Sequence, residues 1–478
     1  MYDTTDPVEV WFQRFGVDED LIGPALAAAT AWGADHAELY FQHSATTSLG
    51  MSDRAINRAH TSVDLGVGVR VVVGDQVGYA YTEDLDREAV LRAARTAAQI
   101  ARAASRPAPP AAVASRRGHP SWYPLSRSWQ EVELDERLPL LRRWEEATFA
   151  RDPRVRKVEV SLADAESRVL IARADGVRAT DYRPMTTAWL GCTLEDGQRE
   201  SGSYNLAARA GLDFYTEERQ ERLVEQAVHR AVQALSAGSP PAGEMPVVMA
   251  AGSSGILLHE AIGHGMEADF NRKGVSIFHD RIGASVANPS VTIVDDATLP
   301  GARGSLNIDD EGNPTERTVL VEGGVMRSFL HDAISARHYG VPSTGSGRRQ
   351  SFRHPVLPRM RSTYMEAGPD DPADIIASVS HGLYCETFAN GQVQIGAGDF
   401  AFYVKLGWLI EGGRITRPVK DVNLVGNGPK VLAAIDRVGN DLRIDEGGWT
   451  CGKDGQGVPV SQGMPTVRVS RLSVGGGR

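Results

Sequence analysis

Apolar and polar positions recur along this chain with two different periods, and the change of period divides it. Residues 21–32 are alanine-rich with a helical period, and 36–48 then alternate with a period of two, as a half-buried strand does. Residues 62–73 and 76–81 predict two more strands around the Gly74-Asp75 turn, followed by a helix over 86–104. Four prolines across 105–120 predict a linker. Helical periodicity returns over 133–149, and 155–165, 168–173 and 185–194 alternate as strands of an antiparallel sheet. An amphipathic helix over 216–235 leads into Ser236-Ala237-Gly238-Ser239-Pro240-Pro241-Ala242-Gly243, a composition that marks a domain border.

Beyond that border the texture changes. Short β-rich runs such as 290–294, 317–322 and 402–411 are separated by glycine-containing turns. The expected fold is therefore α+β: an N-terminal mixed α/β domain with an antiparallel sheet over 1–238, then a mainly β C-terminal domain over 245–478 carrying one distorted helix. At 478 residues the chain is too long for one ordinary core, which agrees with that division. With 42% hydrophobic and 23% charged residues, disorder and fibrous repeats are excluded.

Charge and cysteine usage narrow the partners. A net charge of −10, spread along the chain, argues against a nucleic-acid-binding face. No stretch reaches the roughly 18 apolar residues needed to cross a bilayer, and Met1 to Asp6 lacks a basic start, so no membrane partner and a cytoplasmic address are expected. Cys192, Cys385 and Cys451 are odd in number and far apart, so a disulfide framework is not expected, and each thiol needs its own explanation.

The chemistry concentrates in one helix of the second half. Ser253-Ser254 offers a cap for a run through Ile256-Leu257-Leu258-His259-Glu260-Ala261-Ile262-Gly263-His264. Histidines four apart share a helical face; here they are five apart, which rotates them by about 140° on a regular helix. For His259 and His264 to reach one ion the helix must absorb an extra residue as a π-bulge or by unwinding, and Gly263 is the weak point that permits it. Glu260, about 100° round from His259, is placed for a general base rather than a ligand. A catalytic zinc site needs a third protein ligand. Cys451, in the turn-rich Trp449-Thr450-Cys451-Gly452-Lys453-Asp454-Gly455-Gln456-Gly457, is one candidate, and spacing does not choose it over scattered acids and other histidines.

The run from His259 to Gly274 resembles the metal-binding signature of the TldD/PmbA family of metallopeptidases, closest to its catalytic TldD subunit. Asp309-Asp310-Glu311-Gly312, Gly347-Arg348-Arg349-Gln350-Ser351, Pro418-Val419-Lys420, Gly426-Asn427-Gly428-Pro429 and Cys451-Gly452-Lys453-Asp454-Gly455-Gln456 are similar to family blocks in the same order. So are Gly66-Val67-Gly68-Val69-Arg70 and Gly78-Tyr79-Ala80-Tyr81. The resemblance implies one Zn2+ per chain on His259, His264 and Cys451, with Glu260 catalytic. It implies a dimer, either a homodimer or a heterodimer with a related PmbA/TldE-like subunit, with the N-terminal domain serving dimerisation and walling an internal cavity. It also implies unfolded or short peptide substrates bound as an added strand. Ser362 stands where the family commonly has Asn, which bears on substrate preference.

Other features have plainer readings. Arg348 and Arg349 are candidates to clamp a peptide carboxylate, against the alternative of a solvated face or a structural ion pair. Asp309-Asp310-Glu311-Gly312 lacks the alternate acids of a calcium loop and reads as a turn. Cys192, Cys385 and the remaining histidines, His279 among them, read as structural. Two rival functions remain: a non-catalytic subunit of a TldD/PmbA-type complex, against which the intact motif speaks, and a zinc hydrolase of small amides.

Overall fold

The computed structural model describes residues 7–101, 115–116 and 119–476. Most of the expected proline-rich linker lies outside them. The helices Val8–Gln13 (α1) and Glu19–Ala29 (α2) open the chain, and Asp18 caps α2 by accepting from Leu21 N at 3.0 Å. Three antiparallel strands follow, His36–Ser52 (β1), Ala55–Val73 (β2) and Gln76–Thr82 (β3), and then the helix Arg87–Ile100 (α3). After the helix Leu134–Arg151 (α4) come long strands Val155–Arg173, Val177–Asp196 and Gln198–Ala208, and then the helix Glu217–Ser236 (α5).

These strands make one seven-stranded sheet, antiparallel except for a short edge pairing of Ser115–Arg116. Three expectations change here, one being that the strand expected over 185–194 begins already at Val177. Residues 155–165 and 168–173 are one strand, because Glu166 lies buried within the sheet rather than at a turn. β2 also begins seven residues earlier than the alternation indicated, since residues 55–63 are exposed and carry no apolar period.

The period of two decides how the sheet packs. Leu39, Phe41, Val67 and Val69 point toward α1, α2 and α3, while Leu49, Val160, Leu162 and Leu190 point toward α4 and α5. On the opposite face Tyr40, Val169 and Ile171 pack with Ile308 and Phe352, which belong to the second half of the chain.

That second half is mainly β. The strands Arg414–Asn427, Asp399–Glu411, His381–Gln394, Gly243–Met249 and Val467–Gly476 pair in that order, and the last pairs back to the first, so five strands close a ring. A second six-stranded sheet lies beside it and includes Ile293–Asp296, Ser362–Met365 and Ser461–Met464. Among the described residues no helix is long and apolar enough to cross a membrane.

Candidate metal centre

The motif helix is distorted as its spacing requires. One α-helical turn, Ile256–Leu258, passes into a π-helical turn, His259–Gly263, and then a 3-10 turn, His264–Met266. The wide turn absorbs one residue, so histidines five apart come to the same side. Their rings lie 4.9 Å apart at 89°. Gly263 also answers a close approach, for a Cβ there would lie 2.1 Å from Met360 Sδ. The expected cap is different: Ser254 Oγ donates back to Ala250 O, and Gly252, at φ 97°, turns the chain into the helix.

Cys451 arrives from a hairpin. Thr450–Lys453 pairs with Gln456–Pro459 across Asp454-Gly455, both at positive φ, the left-handed geometry that a two-residue hairpin turn demands. Arg359 holds the hairpin by donating to Cys451 O at 2.6 Å, and Arg348 does so by donating to Pro459 O at 2.7 Å.

His259, His264 and Cys451 are all buried, and one ligand atom from each lies within 4.8 Å of the others. Cys451 Sγ stands 3.5 Å from His264 Nε2. Tetrahedral zinc with bonds of about 2.1 Å to nitrogen and 2.3 Å to sulfur would set such a pair about 3.6 Å apart. His259 Nδ1 is buried with no hydrogen-bond partner. The donor set and this orphaned atom fit a thiophilic divalent metal ion.

Charges around the centre reinforce it. Burial alone would push the Cys451 thiol up, but His259 and His264 hold it well below the ordinary range, in the thiolate form that ligates metals. Burial opposes a charge on His264 too, yet Glu267 and Cys451 hold its pKa well above the usual value. Glu267 Oε2 lies 3.0 Å from His264 Nδ1, which turns the other ring nitrogen toward Cys451. Burial raises the Glu267 carboxyl, but Lys453 and His264 outweigh it and bring it down to about 2. Lys453 Nζ is 3.1 Å from Glu267 and 2.7 Å from Asp269. Spacing did not single out Glu267, Lys453 and Asp269; the signal was that Glu267 follows His264 by three residues.

The three donors border a cavity of about 570 Å³ that Glu260 also lines, together with Phe270, Gly391, Gln392, Val393 and Trp449. The structure thus brings Glu260, His259, His264 and Cys451 together. Arg348 and Arg349 are not part of this cavity. They are 2% and 4% exposed, and Arg349 pairs with Glu38 and donates to Asp310 O at 2.9 Å, a structural ion pair between the two halves of the chain. Asp309 makes the turn expected of its block, accepting from Glu311 N and Asn313 N at 3.0 and 2.8 Å. Cys192 and Cys385 are buried, and burial pushes their thiols up to about 11 and about 12.

Family models described as PmbA/TldA metallopeptidase domain 1, central domain and C-terminal domain match residues 37–101, 127–235 and 242–476. A metalloprotease TldD homolog of Haemophilus influenzae is 39% identical over 448 residues, covering 92% of this chain and 93% of that protein. The chain belongs to the PmbA/TldD metallopeptidase family. A zinc metalloprotease TldD homolog of Saccharolobus solfataricus is 34% identical over 250 residues, 52% of this chain and 55% of that protein. TldE of Thermococcus kodakarensis shares the PmbA/TldD fold with a TM-score of 0.75 at 18% identity, covering 96% of this chain and 99% of that one.

Proposed function

We propose that this chain is a zinc-dependent peptidase that cuts unfolded or short peptides, with His259, His264 and Cys451 holding one zinc ion and Glu260 acting as general base. The observation that carries this reading is the convergence of three buried donors within 4.8 Å of one another at the wall of a cavity that Glu260 also lines. When bound, zinc would acidify a water molecule and polarise the scissile carbonyl. Glu260 takes the proton from the attacking water and returns it to the leaving amine, so no covalent peptidyl intermediate is needed. Glu267 keeps His264 in one tautomer and orientation, and Lys453 and Arg359 hold that carboxylate charged. The thiolate and two imidazoles favour zinc over harder ions.

A related subunit of the same fold is the proposed partner, supported by the match to TldE across 96% of the chain. A cytoplasmic address remains part of this reading.

The test is elemental analysis beside turnover of unstructured peptides and small amides. Wild type should carry about one zinc per chain and cut peptides. Glu260→Gln should keep the metal and lose at least about 100-fold in rate. Undiminished cleavage by that variant would remove Glu260 from its role, and turnover of small amides alone would replace the substrate class.

A further inference from the structure

A second cavity, of about 330 Å³, lies beyond Trp449, which lines both it and the cavity of the metal centre. The strand His381–Gln394 connects them: Thr387 and Phe388 border the second cavity, and Gly391 and Val393 the first. Among the described residues, the strand is paired on one side only over this stretch. Its partner there is Asp399–Glu411, while its pairing with Gly243–Met249 stops at Cys385. A free strand edge therefore leads from the metal centre to the second cavity, and such an edge accepts an extended peptide through main-chain hydrogen bonds.

The second cavity is not neutral. Arg230 reaches it from α5, donating from Nη1 to Ser203 O at 2.9 Å and lying 4.8 Å over the Tyr204 ring, and its Nε is buried with no hydrogen-bond partner. Lys405 borders it from the Asp399–Glu411 strand. Among the described residues neither cation stands in an ion pair. Asp445, the one acid among the described residues that line the cavity, accepts from Trp449 Nε1. Arg230 and Lys405 border the cavity beside Asp445, and the charges of Asp445 and Glu386 both act on Arg230. A half-buried guanidinium with an unmatched N–H is costly, and a carboxylate is the group that matches it in charge and in geometry.

We propose that this second cavity is a specificity subsite that takes a carboxylate of the bound peptide, from an acidic side chain or from the chain's C-terminus, through Arg230 and Lys405. The proposal rests on the peptidase reading, because it uses the same peptide lying along the same strand edge.

Binding tests it without turnover. A fluorescent unstructured peptide with one Glu and a free C-terminus is titrated against the Glu260→Gln chain by anisotropy, beside versions in which Glu becomes Gln, the terminus is amidated, or both. Removing the recognised carboxylate should weaken binding roughly tenfold, as losing a charge-assisted hydrogen bond does. The Gln version reports the side chain as the source, the amidated version the terminus. Adding Arg230→Gln or Lys405→Gln should cost the carboxylate peptide a similar factor and leave the doubly neutral peptide unchanged. If Arg230→Gln does not fold, Lys405→Gln, exposed on its strand, decides alone. Equal affinity for all four peptides, an equal loss on all four in the variants, or no binding of any peptide overturns the subsite. Failure of wild type to cut peptides, with carboxylate-dependent binding intact, would overturn the peptidase reading alone.

Discussion

Glu38, Arg70, Glu311 and Arg349 are as deeply buried as His259, His264 and Cys451, yet the two groups are built on opposite plans. In the first, charge meets charge, although Arg70 Nε and Nη1 and Arg349 Nε are buried without a hydrogen bond. Arg70 pairs with Glu38 at 3.3 Å and with Glu311, and Arg349 pairs with Glu38, across the seam between the N-terminal sheet and the second half of the chain. Arg183 extends the seam to Asp181 at 2.7 Å and Asp310 at 2.5 Å. In the second group one ligand atom from each of three residues lies within 4.8 Å of the others, and His259 Nδ1 is buried with no hydrogen-bond partner. Buried charge that is matched internally stabilises one arrangement of the chain, whereas donors that converge with no counterpart mark a place for a ligand.

The sharpest way to test that contrast is to remove a donor. Cys451→Ala should cut bound metal from about one ion per chain to a small fraction, abolish peptide cleavage and leave the fold intact, as elemental analysis and circular dichroism would show. Breaking the seam should do the reverse. Arg70→Met leaves Glu38 and Glu311 short of a partner and should cost about 3–5 kcal/mol in denaturant unfolding, while the metal ligands remain in place. Retained stability in Arg70→Met would erase the distinction between the two groups.

A smaller effect is expected where the two plans meet. Glu267 is matched by Lys453 on one side and orients a metal donor on the other. Glu267→Gln should weaken metal affinity about 10- to 100-fold in competition with a chelator, with Glu260 and all three donors unchanged.

A pH-dependent effect concerns a carboxyl with a poor match. Asp164 is 6% exposed and its nearest cation is Arg137 at 3.4 Å, so burial pushes it up to about 7 despite that cation. The folded chain therefore takes up a proton between about pH 7 and pH 4 that the unfolded chain binds only lower down. This group's contribution to stability should rise as pH falls through that window and level off below it, with a slope on the order of 1 kcal/mol per pH unit. Asp164→Asn should flatten that slope in unfolding curves collected from pH 7 to pH 4.

What the chain spelled out locally was legible without coordinates. The period of two in residues 36–48 and 62–73, the Gly74-Asp75 turn and the five-residue histidine spacing are each properties of a few neighbouring residues, because backbone geometry and side-chain direction act over that range. From them came the antiparallel sheet and the wide turn at His259–Gly263. Position across long separations was decided only by tertiary packing. Nothing near Cys451 distinguishes it from a core thiol, and its place at His264 follows from Arg348 and Arg359 holding a hairpin almost 190 residues further along the chain. Arg348 and Arg349 show the converse: their composition suits a peptide carboxylate, and only the packing of two halves turned them inward to carbonyls and Glu38. Local rules fix what a segment can present, and the enclosing fold fixes what it faces, because burial and charge matching are summed over the whole molecule.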